Sequence, residues 1–520
     1  MKNNLVTASV VLILLTGLSK ITGFIREMVL AYFYGASAMT DAYITATTVA
    51  IILIGGITSA TALAYIPRAT EARVNNQDVS YITSNLMTAC GLLILIISVT
   101  AMFFSRELTW LFAMGFDEET LTLAAGMTFL ILPFCFIYAM NNIAVGYLQS
   151  INSFWFIGAS AILANIVIIT AISASNNNPH TLALGFACSW VVPAGWAFFL
   201  TRKKGLRYTF VLNLKDKTLQ AIAISSIPIF LGQLVIQFNT LVDRNFASIL
   251  GEGIISAMQY ANKLNILFIT LFVVSIATTL FPRFSEQAAS GNIDGLKKTA
   301  SKSINIVLLL VMPVVTGVII LAQPLVELVF MRGQFDQTAA IITANVLALY
   351  ALGMPGLSFA EILNREFYAL KDTRTPVICS VVSISTNIVL NFILVKRFGY
   401  MGLAVATSIA ATVLAALLFI FLRRKIGAIG MGHLTLNFIK LLIAVLGMAV
   451  VVFYLNEWLV SVLGLGTIDR ILILMVNALV GAGIYFGMVY LLKVTEVQEI
   501  WQMLKQKLVT DALENKDSKE

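Results

Sequence analysis

An all-α membrane protein with about fourteen spanning helices is the fold class this sequence predicts, on three observations. Apolar residues fill 59% of the 520 positions and charged residues 12%, an excess that no soluble core of this length requires. The apolar residues fall in runs of about twenty, enough for a helix rising about 1.5 Å per residue to cross a hydrocarbon layer of about 30 Å. Basic residues gather in alternate loops, the pattern that membrane orientation imposes.

In order, the runs begin near residues 5, 39, 80, 121, 151, 180, 217, 253, 300, 338, 373, 401, 434 and 467. The first, from Leu5 to about Tyr34, is too long for a signal-peptide core and precedes no small-residue cleavage site, so it is expected to remain in the mature protein. With the amino terminus inside, the inner loops take Arg68 and Arg73; Arg202, Lys203, Lys204, Arg207, Lys215 and Lys217; Arg283, Lys297, Lys298 and Lys302; Lys371 and Arg374; and Arg423, Arg424 and Lys425. The outer loops take Arg106, Arg332, Lys396, Arg397 and Arg470. That asymmetry predicts two cytoplasmic termini. It also accounts for the net charge of +8 without nucleic acid as a partner. The four cysteines, Cys90, Cys135, Cys188 and Cys379, lie inside apolar runs at unrelated spacings and read as small packing residues.

The chain repeats itself. Ala64-Tyr65-Ile66-Pro67-Arg68 with Glu71 closes the second span, and Leu280-Phe281-Pro282-Arg283 with Glu286 closes the eighth. Gly115-Phe116-Asp117 returns as Gly333-Gln334-Phe335-Asp336, and Asn165-Ile166-Val167 as Asn387-Ile388-Val389, at offsets of about 215 to 222 residues. Two six-helix lobes are therefore expected, at 1–205 and 206–430, in the same orientation and separated by a cleft. Two additional helices at 431–495 have no counterpart in the repeat. A tail follows at 496–520, in which Val497, Ile500, Trp501, Leu504 and Leu508 predict a short helix on the inner membrane face, with a frayed, solvated tail as the alternative.

Charges inside the spans are costly, about 2.5 to 3.5 kcal/mol each at the bilayer centre on insertion scales, so they point to a cavity or to partners. Span one carries Lys20, Arg26 and Glu27; span two opens with Asp41; span seven carries Asp243 and Arg244; span eight Lys263; span ten Glu361, Arg365 and Glu366. Arg26 precedes Gly35 by the interval at which Arg244 precedes Gly253, so each lobe offers one arginine from its first helix. Two guanidinium forks across a cleft suit a diphosphate. Local pairing is the competing explanation: Glu27 adjoins Arg26, Asp243 adjoins Arg244, and Glu361 stands four residues before Arg365.

These residues resemble a known family. Leu18-Ser19-Lys20-Ile21-Thr22-Gly23-Phe24-Ile25-Arg26-Glu27, Phe33-Tyr34-Gly35-Ala36 and Thr40-Asp41-Ala42 look like the opening of the MurJ/MviN lipid II flippases of the multidrug/oligosaccharidyl-lipid/polysaccharide exporter superfamily. The likeness continues through Arg332-Gly333-Gln334-Phe335-Asp336, Phe367-Tyr368-Ala369-Leu370-Lys371-Asp372-Thr373-Arg374-Thr375-Pro376 and Asn387-Ile388-Val389-Leu390-Asn391. The resemblance implies alternating access by two lobes around a central cavity, no enzymatic reaction, and an undecaprenyl-diphosphate-linked peptidoglycan precursor as cargo. It implies the bacterial cytoplasmic membrane as the location, with membrane lipids and the cell-wall synthesis machinery as partners. By position it assigns cavity roles to Lys20, where arginine is usual, to Arg26 and to Asp41, with Arg244 and Lys263 added from their place in the spans. A sodium site of some members maps onto Asp243, Asn387, Asn391 and Thr407, with asparagine at 391 in place of a family carboxylate; no other cofactor is expected. The competing expectations are a flippase for another lipid-linked oligosaccharide, a multidrug antiporter of the same superfamily, and a membrane enzyme. The intramembrane arginines disfavour a site for organic cations, and no loop gathers the acids or histidines that an enzyme would use.

Overall fold

The computed structural model describes residues 2–428, 431–464, 466–494 and 496–498. The predicted tail helix falls almost wholly outside them. Among the described residues sixteen α-helices follow one another: α1 Lys2–Tyr34, α2 Ala38–Val74, α3 Val79–Phe103, α4 Ser105–Phe112, α5 Glu118–Ile131, α6 Cys135–Ser150, α7 Trp155–Ala174, α8 Pro179–Lys203, α9 Lys217–Ile249, α10 Ile254–Ile269, α11 Ser275–Ala289, α12 Ile293–Phe330, α13 Gln337–Ala369, α14 Arg374–Ile426, α15 Met431–Leu463 and α16 Thr467–Leu491. No strand occurs among the described residues. Twelve described segments are long and apolar enough to span a membrane. One of them, α14, is two helices joined across a kink at Gly399, whose φ of 53° suits glycine. Dividing it there and adding α1 gives the expected number of about fourteen.

Polar side chains start the helices where orphan backbone N–H groups need acceptors. Ser37, Asp78, Asn178 and Asp216 cap α2, α3, α8 and α9. The two prolines of the repeated motif, Pro67 and Pro282, lie inside α2 and α11. A π-helical stretch, Thr270–Val274, links α10 to α11 within one spanning segment, a wide turn that bends a helix.

The chain divides into two compact units. The first runs to Gln259 and includes Phe330–Ala339. In it α1 packs along α7, α7 along α8, and α2 against α5, α6 and α9. Small residues permit this: the Cα of Gly158 faces the backbone of Leu15 and Thr16, and that of Gly185 faces Ala171. The second unit comprises Tyr260–Val329 and the chain from Ala340 onward. There Ser408 Oγ donates to the Leu349 carbonyl oxygen at 2.6 Å, joining α14 to α13, and α15 packs on α16. An ion pair between Arg470 and Glu327, at 3.2 Å and with both side chains nearly buried, fastens α16 to α12. In the turn between α13 and α14, Asp372 Oδ2 lies 2.6 Å from Lys425 Nζ at the far end of α14. That ammonium, with hydrogen bonds donated by Thr375, holds the Asp372 carboxyl down at about 2, so the contact stays charged at physiological pH.

Candidate functional site

In the first unit, Arg26 stands on α1 against α7. Its Nη2 lies 2.6 Å from Glu27 Oε1 and its Nη1 donates to Asn165 Oδ1 at 3.2 Å. Asn165 is itself fixed, donating from Nδ2 to the Ser19 carbonyl oxygen and to Thr22 Oγ1, both at 3.1 Å. The amide lies against Gly23, where a Cβ would stand 3.4 Å from Nδ2. Glu27 is buried, whereas 26% of the Arg26 side chain remains exposed. The guanidinium is thus oriented by two partners, in a side chain that is only partly covered. Lys20, two turns earlier on α1, is exposed.

Arg244 is half-buried on α9, and its Nη2 donates to Gln259 Oε1 at 3.4 Å. Asp243 beside it accepts from Asn239 Nδ2 at 3.2 Å, one turn back on the same helix. Lys263, half-buried on α10, belongs to the second unit.

Asp41 is almost fully buried and accepts two backbone hydrogen bonds, from Gly253 N at 2.8 Å and from Ser256 N at 2.7 Å. It caps the start of α10 from α2. The exposed Glu252 Oε1 accepts in turn from Ala38 N at 2.9 Å, at the start of α2. Ala38 and Ser256 are related by the 218-residue offset that relates Gly35 to Gly253 and Gly115 to Gly333. In each copy of the repeat, therefore, the second helix begins under a carboxylate from the other copy, where the helix dipole favours negative charge.

The four glycines complete this latch. A Cβ on Gly35 would strike the carbonyl of Gln334, one on Gly333 that of Tyr32, one on Gly253 that of Ala36, and one on Gly115 the backbone of Ile249. Gly35, Gly253 and Gly333 also have positive φ. Backbone meets backbone across the two copies, and Gln334 N donates to the Tyr32 carbonyl oxygen at 2.9 Å. On the far side Asn245 Oδ1 accepts from Met114 N at 2.9 Å, and Ser248 Oγ accepts from Gly115 N at 3.0 Å.

In the second unit the structure brings together three of the residues mapped to a sodium site. Asn387 Nδ2 donates to Thr407 Oγ1 at 3.4 Å, and Asn391 Nδ2 donates to Asn387 Oδ1 at 3.2 Å. Asn387 and Asn391 are buried. Their oxygens suit a hard cation in kind, but the trio carries no charge of its own. No group of three or more His, Cys, Asp or Glu side chains among the described residues is placed to hold a metal ion. Also in this unit, Arg365 Nη2 lies 2.8 Å from Glu361 Oε1, the local helical pair that the spacing predicts.

Sequence reasoning missed Asn165 as the partner of Arg26, Glu252 as a cap, and the Glu327–Arg470 pair. The first two are contacts across more than 130 positions of the chain. Asn165 gave one signal, its recurrence at Asn387 in the repeat.

Multiple spanning helices, charges fixed inside the spans, and a latch built from two repeat-related helix starts define a polytopic membrane transporter. A family model described as "Lipid II flippase MurJ" matches residues 30–473. The chain belongs to that family. A relative named "Probable lipid II flippase MurJ", from Rhizobium meliloti (strain 1021), is 26% identical over 418 residues, covering 77% of each chain. The fold is that of a solved structure titled "Lipid II flippase MurJ, inward closed conformation", with a TM-score of 0.76, 23% identity, 92% of this chain covered and 100% of the other. It is shared more distantly with a multidrug resistance MATE family transporter of the MOP superfamily in an inward-facing conformation, with a TM-score of 0.67, 18% identity and coverage of 79% and 95%.

Proposed function

We propose that this protein carries lipid II, the undecaprenyl-diphosphate-linked peptidoglycan precursor, across the bacterial cytoplasmic membrane by alternating access. The observation that carries the reading is the family match over residues 30–473. The geometry supports it. Arg26 offers a guanidinium oriented by two partners on a partly exposed side chain, suited to a diphosphate, and the latch of Asp41, Glu252 and the four glycines is a set of contacts that can be made or broken as one end of the bundle closes or opens.

In this reading Arg26, Arg244, Lys20 and Lys263 serve the anionic cargo, and Asp41 serves the latch. Both termini are cytoplasmic, as the basic loops indicate, and the latch then lies at the outer face. The residues that would hold a coupling sodium ion in the second unit are Asn387, Asn391 and Thr407. Asn391→Asp should supply the charge they lack and strengthen the dependence of transport on sodium, measured against a larger inert cation; an indifferent variant removes sodium from the proposal. The cargo is tested by expressing the chain in a strain depleted of its lipid II flippase. Growth rescue is expected; rescue only of strains lacking the transporter of another lipid-linked glycan would reassign the cargo.

A further inference from the structure

The segment between α8 and α9 has no part in the mechanism above, and its side chains are arranged unusually. It is held chiefly through its backbone, with Leu206 as its one buried apolar side chain. Ser80 Oγ accepts from Arg207 N at 3.3 Å, and Ser84 Oγ accepts from Thr209 N at 3.1 Å. Asn85 exchanges two hydrogen bonds with the backbone of Asn213, at 3.0 and 2.8 Å. The Tyr208 hydroxyl meets Thr88 Oγ1 at 3.2 Å, nine residues into α3. The polar face at the start of α3 therefore pins the segment at both ends.

Between and beside these pins, large apolar side chains stand uncovered at every second position: Tyr208 at 42%, Phe210 at 73%, Leu212 at 47% and Leu214 at 64% exposure. Around them are six exposed cations, Arg202, Lys203, Lys204, Arg207, Lys215 and Lys217. The single acid in that stretch, Asp216, is engaged in capping α9, accepting from Leu219 N at 2.8 Å. Both neighbours are spanning helices, α8 ending at Lys203 and α9 starting at Lys217, so the segment must lie at a membrane surface whichever face that is. Apolar groups held out of the protein at that depth, ringed by cations, match the two layers of a bilayer surface: upper acyl chains for the rings and leucines, anionic headgroups for the ammonium and guanidinium groups.

We infer that residues 204–216 form an interfacial membrane anchor that inserts Tyr208, Phe210, Leu212 and Leu214 into one leaflet and selects anionic phospholipids through the six flanking cations. Because the anchor is bonded to α3, the lipid's hold is passed to the first unit. The inference is independent of the cargo.

The test uses the full chain in nanodiscs, with Cys188→Ala removing the one exposed cysteine. A nitroxide is attached to the F210C variant and, as a water-facing control, to D294C, whose native side chain is 89% exposed. Collisions with oxygen and with a water-soluble nickel chelate report depth. In nanodiscs containing phosphatidylglycerol, the 210 label should lose nickel collisions several-fold relative to the 294 label and lie about 5–10 Å into the headgroup and acyl boundary. Replacing Lys203, Lys204 and Lys215 together by glutamine should make the 210 label shallower in phosphatidylglycerol and leave its depth unchanged in phosphatidylcholine alone. A 210 label as open to nickel as the 294 label overturns the anchor and leaves the face to a protein partner. Equal depth in both lipids, unaffected by the three-site change, overturns the selection of anionic lipid.

Discussion

Arg26 and Glu27 are neighbours in sequence, and the structure pairs them at 2.6 Å. Local pairing and anion binding stand as alternatives in the sequence; the structure shows the pairing, in which the buried carboxylate orients the fork, and the proposed function gives the same fork the cargo. Removing the arginine then has two effects that can be separated. Arg26→Ala should cost roughly 1–3 kcal/mol of stability, because a buried carboxylate loses a charged donor, and should abolish transport. The double variant Arg26→Ala/Glu27→Gln should recover the stability and stay inactive. Arg26→Lys should keep the charge yet weaken cargo binding, roughly ten- to a hundredfold if one or two charge-assisted hydrogen bonds worth about 1.5–3 kcal/mol are lost. Thermal unfolding in detergent together with a transport assay separates the two; a double variant that transports normally contradicts the role given to Arg26. Composition and spacing were enough to single out Arg26. Its orienting partner Asn165, on another helix, carries no mark that distinguishes it from a packing asparagine except its place in the repeat.

The helices themselves were readable because bilayer thickness sets their length, and turns interrupt the apolar runs at that interval. The kink at Gly399 falls where the sequence separates the spans beginning near 373 and 401. One feature was not readable: the short helix α4 that precedes α5 in the loop carrying Arg106. The latch is an intermediate case. Its glycines are visible as repeat-related positions, but what presses on them is tertiary. Gly333 has a φ of 61° and the Tyr32 carbonyl where a Cβ would go. Gly333→Ala therefore meets both backbone strain of about 1–3 kcal/mol and a collision with main chain that cannot rotate away. The latch should open, lowering the closed population about tenfold or more. Gly195, with open space around its Cα, is the control position at which alanine should change nothing. Electron spin distances between the α1–α2 and α12–α13 turns report the difference; an unchanged distance in Gly333→Ala would show that these turns are not a gate.

At the scale of the molecule, the sequence repeat anticipates a reciprocal arrangement, and the latch supplies one: each second helix starts beneath an acid from the other copy. Asp41 and Glu252 do not occupy equivalent positions in the two copies, which is why comparing the copies by sequence could not pair them. Arg470 read as an outer-loop charge for a similar reason, since its partner Glu327 lies 143 positions away. The proposed membrane orientation rests on the basic loops alone. A cysteine introduced at Lys203 should react with a membrane-impermeant reagent from the cytoplasmic side only; labelling from outside intact cells would invert the topology.

Lipid II transport through a site that includes Arg26 can be measured with the purified chain in vesicles whose inner leaflet carries labelled lipid II, by following appearance of the label at the outer surface. Transfer should be much faster than in protein-free vesicles, and the stable Arg26→Ala/Glu27→Gln variant should lose that acceleration. Transfer no faster than in protein-free vesicles, or equally fast in the variant, would contradict it.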